Sequence, residues 1–212
     1  MFWDNVAGVY DIFVNVLNRK THARLREIVA DRIRQDDEVL ECACGTGLLT
    51  AVIAAGCRWL TATDYSEKML SKARKNCVAL GNITYRKADI TALPFPDGSF
   101  DKVVAGNVIH LLDDPGKALR EMERVCKAGG MLIIPTYINK GADGRTGLFA
   151  SAVGKAGADF KRQFTADSYR KFLIREGCGG CRGGNCSGKH TLRGGGDHEE
   201  GKIPDIGRYR RF

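Results

Sequence analysis

Apolar residues recur at helical spacing twice near the start of the chain. Val6, Tyr10, Phe13 and Leu17 fall on one face of residues 4–18, and Leu25, Ile28, Val29 and Ile33 on one face of residues 21–34. The pattern then changes. Val39-Leu40-Glu41-Cys42 is a short apolar run of the kind a buried strand shows, and Leu48 to Ala55 returns to helical spacing. Trp59 to Thr63 predicts a second strand that Asp64 ends. Ser66 then caps a helix with Met69, Leu70, Ala73 and Cys77 inward. Ile83 to Arg86 and Phe100 to Ala105 predict the third and fourth strands. Asp114-Pro115 opens a further helix, a cap followed by proline at the first helical position, with Leu119, Met122 and Val125 on its apolar face. Gly129-Gly130 is expected to end that helix, and Met131 to Pro135 to form the fifth strand. Residues 137–164 are less regular, with a short helix expected over 146–156. Thr165 caps a helix over 166–176. Strand alternating with helix predicts an α/β chain with a doubly wound, mostly parallel sheet and helices on both faces.

Composition narrows the class without changing this picture. At 212 residues, with 43% hydrophobic and 27% charged positions, the chain suits one globular domain with a full core. No apolar run reaches the ~18 residues a spanning helix needs. The opening MFWDNVAG lacks the basic-then-apolar order of a secretory signal, so a cytoplasmic location and reduced thiols are expected for the 8 cysteines. The net charge of +8 allows weak attraction to a membrane surface or a nucleic acid but also describes an ordinary solvated surface.

The candidate chemistry begins at LECACGTGLL, residues 40–49. A dinucleotide fingerprint needs three glycines as G-x-G-x-x-G, and this stretch has Ala43 and Leu48 where the outer two would stand. The pattern that fits is acid-x-small-x-Gly-x-Gly, carried by Glu41, Ala43, Gly45 and Gly47. A carboxylate beside bare backbone repels phosphate and suits a ligand with a cationic ammonium end. Asp64, after the second strand, can accept from two ribose hydroxyls. Asp89, after the third, can accept from an exocyclic amine such as adenine N6. Blander readings stand beside these: Cys42 and Cys44 as small residues at a tight turn, Asp64 as a helix cap, Met69 as core, His110 as a packed residue, and Tyr10 with Phe13 as packing aromatics.

The stretches VLECACGTG, TATDYSEKML, RKADITALPFPDGSFDKVVAGNVIHLLDDP and RVCKAGGMLIIPTY resemble class I S-adenosylmethionine-dependent methyltransferases, nearest the branch of the ubiquinone/menaquinone-biosynthesis C-methyltransferases. The resemblance covers residues 2–176, and Ala43 departs from it where the family usually has glycine. It implies a Rossmann-like fold with N-terminal lid helices and S-adenosylmethionine as cofactor. By that resemblance Glu41 orients the turn, and Ala43, Cys44, Gly45 and Gly47 pass the methionine part. Asp64 takes the ribose, Tyr65 and Met69 flank the adenine, and Asp89 with the backbone of Ile90 reads the adenine edge. Asn107 approaches the methionine end, Val108 and His110 lie near the reacting face with His110 as candidate catalytic residue, and Tyr10 helps close the lid.

No nucleophilic triad or metal constellation appears in residues 1–176, which fits catalysis by alignment of the two reactants. The stretch after the fourth strand is Asn107-Val108-Ile109-His110, not the Asn/Asp-Pro-Pro-aromatic of enzymes that methylate amino groups of bases or glutamine. A small-molecule acceptor, methylated on carbon or oxygen and quinone-like by the branch resemblance, is therefore expected, with no nucleic-acid partner. The rivals are a nicotinamide oxidoreductase on the same fold and a non-enzymatic nucleic-acid-binding protein with a zinc-binding tail. The domain is expected over 1–176. The tail, 177–212, is glycine-rich and carries Cys178, Cys181, Cys186 and His190 as C-x2-C-x4-C-x3-H. A shifted reading frame there would restore strand-like apolar runs, so the final β-hairpin of the fold is expected to be missing or disrupted and the edge of the fifth strand bare.

Overall fold

The computed structural model describes residues 19–136, 161–178 and 208–210. Along the chain these form α1 (Arg19–Ala30), β1 (Glu38–Cys42), α2 (Thr50–Gly56), β2 (Trp59–Asp64) and α3 (Glu67–Asn76). Next come β3 (Ile83–Lys87), β4 (Phe100–Ala105), a 3-10 turn (Ile109–Leu111), α4 (Pro115–Val125), β5 (Cys126–Ile133), α5 (Ala166–Leu173) and β6 (Arg208–Arg210). The expected helix over 4–18, with Tyr10, and the short helix over 146–156 lie outside the described residues, as do Cys181, Cys186 and His190.

Six strands make one sheet in the order β3-β2-β1-β4-β5-β6. The first five are parallel. The order runs outward in one direction from β1 through β2 to β3 and in the other from β4 to β5, so β1 and β4 flank the crevice where a doubly wound sheet takes its ligands. Alternate side chains feed the two faces, as a strand's period of two requires. Leu40, Val103 and Leu132 join Leu119, Met122, Tyr169 and Phe172 on one side. Val39, Val104 and Ile133 join Leu25, Val29, Ile53 and Leu70 on the other. Burial on both faces is why these strands read as apolar runs and not as alternating ones.

Three of the helix starts obey the chain's own capping chemistry. Ser66 accepts from Met69 N, Asp114 accepts from Lys117 N ahead of Pro115, and Thr165 and Ser168 form a reciprocal capping box. The Tyr169 hydroxyl donates to Ile134 O at 2.7 Å and ties α5 to the end of β5.

Two expectations are corrected. Gly129-Gly130 does not end α4, which stops at Val125, and β5 starts at once with Cys126. The glycines serve the sheet instead. Gly129 takes φ 77°, the β4–β5 register shifts between Phe100 and Lys102, and a Cβ on Gly130 would lie 2.8 Å from Asp101 O. This is a bulge, and glycine is there because two backbones approach too closely for a side chain. The outer edge of β5 is also not bare. Arg208–Arg210 pairs with it antiparallel, opposite Met131, Leu132 and Ile133. Ladder hydrogen bonds need only backbone, so three glycine-free residues suffice where the rest of the tail offers no strand pattern. No second strand of a terminal hairpin occurs among the described residues, and none of the described helices is long and apolar enough to cross a membrane.

Candidate functional site

The turn leaving β1 is held in a conformation that the side chains of most residues oppose. Ala43 and Gly45 both take φ 55° and Gly47 takes φ 96°. Cys44 N extends the ladder to Thr63 O at 2.9 Å, and Gly47 N closes onto Cys44 O at 3.0 Å. At Gly47 an added Cβ would lie 3.3 Å from Ala73 Cα and 3.1 Å from Cys77 Sγ, so this glycine lets α3 pack against the turn. At Gly45 an added Cβ would meet nothing within 4 Å among the described residues. One glycine faces the helix and the other faces away from every described residue.

Two carboxylates brace this turn from different sides. Asp64 Oδ2 accepts from Gly45 N and its Oδ1 from Ser66 N, both at 2.9 Å, so it joins the turn to the start of α3. Glu41 lies beneath the turn, 2% exposed, and accepts from Thr50 Oγ1 at 2.7 Å. Burial pushes its carboxyl up to about 8, the Asp64 charge adds to the rise, and the Thr50 hydroxyl opposes it. Burial likewise pushes up the thiols of Cys42 and Cys44.

The remaining expected residues spread along neighbouring strand ends. Tyr65 is 52% exposed beside Lys87, whose Nζ lies 5.8 Å from the ring centroid. Met69 is 3% exposed, its side chain in the core. Asp89 is exposed and accepts from Thr91 N at 2.8 Å and Thr91 Oγ1 at 2.9 Å, both on Oδ1. That leaves Oδ2 without a partner among the described residues. Ile90 and Val108 are each 8% exposed. Asn107 takes φ 55° and donates its backbone N–H to Pro135 O at 2.8 Å, so the chain turns sharply at the end of β4. His110 is 3% exposed, with Nδ1 3.0 Å from Thr136 Oγ1, and burial pushes it down to about 4. It is a neutral, enclosed imidazole. No group of three or more potential metal ligands occurs among the described residues.

The structure thus places Ala43, Cys44, Gly45, Asp64, Tyr65, Asp89 and Asn107 at the carboxyl ends of adjacent strands, with Glu41, Met69 and His110 behind them. Sequence reasoning passed over Thr50 and Thr136, the hydroxyls that meet Glu41 and His110, and Thr63, whose hydroxyl donates to Glu41 O at 3.0 Å. Only Thr50 left a usable signal, a hydroxyl opening a helix one turn beyond the glycines. It also passed over Arg124, which α4 aims at the segment after Asp89.

Comparison with known proteins bears on this arrangement. Residues 40–134 match a family described as a methyltransferase domain. The chain is 38% identical over 121 residues to malonyl-[acyl-carrier protein] O-methyltransferase of Erwinia pyrifoliae, a match covering 54% of this chain and 45% of that protein. It is 33% identical over 138 residues to the ubiquinone/menaquinone biosynthesis C-methyltransferase UbiE of Escherichia coli, covering 61% of this chain and 55% of that one. The chain therefore spans about half the length of these curated relatives. Among solved structures, a Bacillus halodurans protein assigned as a methyltransferase superposes with a TM-score of 0.61 at 26% identity, covering 74% of this chain and 68% of that one.

Proposed function

We propose that this chain is a class I S-adenosylmethionine-dependent methyltransferase and that it methylates carbon or oxygen of a small-molecule acceptor. The observation that carries the cofactor assignment is the row of three strand ends: the open turn after β1, Asp64 after β2 and Asp89 after β3. The residues fit the group. The open side of Gly45 leaves room for a ligand against the backbone, and the unpartnered Oδ2 of Asp89 is an acceptor that an adenine N6 amine would fill. When bound, S-adenosylmethionine supplies a methyl group already activated by its sulfonium.

This chain's residues bind and orient. The backbone of Ala43 to Gly47 would pass the methionine part, and an ammonium group there would draw the Glu41 carboxyl behind it toward its charged form. Asp64, at the end of β2 beside the glycine turn, would accept from the ribose hydroxyls. Asp89 and Ile90 N would read the amine and the ring nitrogen of the adenine. The acceptor side is supported by the segment just after β4: Asn107-Val108-Ile109-His110 offers no acidic amine-binding group, and its histidine is enclosed and neutral. An ionised carboxylate has no proton to lose, and an electron-rich hydroquinone ring, once methylated on carbon, can release its ring proton to water, so neither acceptor needs a base from the chain. The names of the relatives span these two classes, an O-methyltransferase and a C-methyltransferase.

The test is to incubate the full chain with methyl-labelled S-adenosylmethionine and a metabolite extract, then treat the labelled product with mild alkali. Label released as methanol marks a methyl ester. Label retained through alkali, and shown by NMR as a methyl on carbon or on a phenolic oxygen, marks a quinone-type acceptor. Label on an amine nitrogen, or only on nucleic acid, would overturn the acceptor reading.

A further inference from the structure

Residues 88–99, between β3 and β4, carry Asp89 and Ile90 but form no strand or helix, apart from an isolated bridge between Asp89 and Ala92. Their backbone groups must find partners elsewhere, and α4 supplies them. Glu121 Oε2 accepts from Leu93 N at 2.7 Å. Arg124 Nη2 donates to Leu93 O at 2.9 Å, and Nη1 donates to Phe95 O at 2.7 Å and Asp97 Oδ1 at 2.9 Å. Its Nε and Nη2 also donate to the two carboxylate oxygens of Glu121, both at 2.8 Å. A guanidinium has five N–H donors in a rigid fork, and here each has an acceptor. Leu93 is gripped by both its N–H and its C=O. Ala92, just before it, donates to Asp89 O at 3.0 Å. The grip therefore lies one bridge away from the carboxylate with the unpartnered oxygen.

We propose that Arg124, through Glu121 and the backbone of Leu93 and Phe95, is a positioning residue that sets Asp89 and Ile90 to distinguish adenine from other purines. This rests on the cofactor reading under Proposed function. Arg124 has no direct part in holding the cofactor. It acts by removing the freedom of a loop whose two ligand-facing groups must match an amine donor and a ring-nitrogen acceptor together. Lysine cannot replace it, because one ammonium cannot reach two carbonyls and two carboxylates spread along the segment.

Titration calorimetry on the full chain tests this with S-adenosylhomocysteine and S-inosylhomocysteine. The second ligand has a carbonyl in place of the amine and a protonated ring nitrogen, so it reverses both hydrogen bonds. The wild-type protein is expected to prefer the adenine ligand strongly. Arg124→Lys should lower that preference about tenfold, the scale of one well-made hydrogen bond to a charged group, mostly through weaker binding of the adenine ligand. Glu121→Gln keeps one oxygen for Arg124 and should lower the preference less; it carries the test should Arg124→Lys not fold. Equal weakening of both ligands in each folded variant would overturn the proposal and leave Arg124 a purely structural brace. A wild-type preference near one would overturn it as well. Absence of S-adenosylhomocysteine binding by the wild-type chain would instead overturn the cofactor reading, and this inference with it.

Discussion

Glu41 beneath the turn after β1 and His110 in the turn after β4 are built alike and behave in opposite ways. Each is a buried titratable side chain facing a threonine hydroxyl, Thr50 at 2.7 Å and Thr136 at 3.0 Å. In each, burial favours the neutral form, which pushes the acid up to about 8 and the imidazole down to about 4. Glu41 therefore changes charge just above neutral pH, under a turn expected to hold an ammonium group. His110 is already neutral throughout that range and is poorly placed to take a proton near pH 7. Burial of the same degree leaves the turn after β1 responsive to charge near neutral pH and the segment after β4 unresponsive there. That difference supports the proposed reading, in which the cofactor is bound by electrostatics and the methyl group is transferred by alignment.

The largest effect that would break the comparison concerns Glu41. Its carboxyl is raised from 4.5 to about 8 in the fold, so between those values the folded state holds a proton that the unfolded state has released. Stability is full below the lower value and falls as pH rises toward the upper one, by about 5 kcal/mol at ~1.36 kcal/mol per unit. Urea unfolding at pH 5 and pH 9 should show Glu41→Gln losing much less stability over that window than the wild type. An equal loss in both proteins would mean that Glu41 is not the buried acid described.

His110 should show the opposite sign. It falls from 6.5 to about 4, so the unfolded chain takes up a proton first as pH drops, and stability is lost between those values. The expected loss is about 3 kcal/mol. His22 on α1 is lowered to about 4 as well, by burial and by Arg26, and adds a loss of the same sign. The measurement is therefore the difference between wild type and His110→Gln at pH 4.5 and pH 7. An inflection near pH 6.5 in kcat that disappears in His110→Gln would give the histidine a catalytic role after all.

Asp64→Ala sharpens the comparison from the ligand's side. It removes an acceptor from Gly45 N and Ser66 N as well as the expected ribose contact. Affinity for S-adenosylhomocysteine should fall by about 1.5–3 kcal/mol, the scale of hydrogen bonds to a charged group. Unchanged calorimetric affinity would remove Asp64 from the site. The smallest effect is expected at Ala43, a non-glycine residue at φ 55°. Relief of left-handed strain outweighs the added freedom of glycine in the unfolded chain, so Ala43→Gly should raise stability by about 0.5–1 kcal/mol. A lowered melting temperature would contradict this.

The sequence by itself determined whatever depends on neighbours within a turn or two of chain. The caps at Ser66, Asp114 and Thr165, the strand runs, the glycine turn and the acids ending β1 and β2 were legible because each is a local pattern with a local cause. Gly129-Gly130 misled because a glycine pair looks the same at a helix end and at a bulge, and only the nearness of Asp101 O separates the two. Tertiary structure alone decided the rest. The burial that makes Glu41 an acid of about 8 comes from atoms brought together by the sheet and α2. The enclosure of His110 needs Thr136, three residues beyond the end of β5, and three of the five acceptors around Arg124, on Leu93, Phe95 and Asp97, come from a segment that no periodic pattern connects to α4. Capping and periodicity act along the chain and leave their mark in it. Desolvation and hydrogen-bond saturation act across the fold, and become readable only once the strands stand side by side.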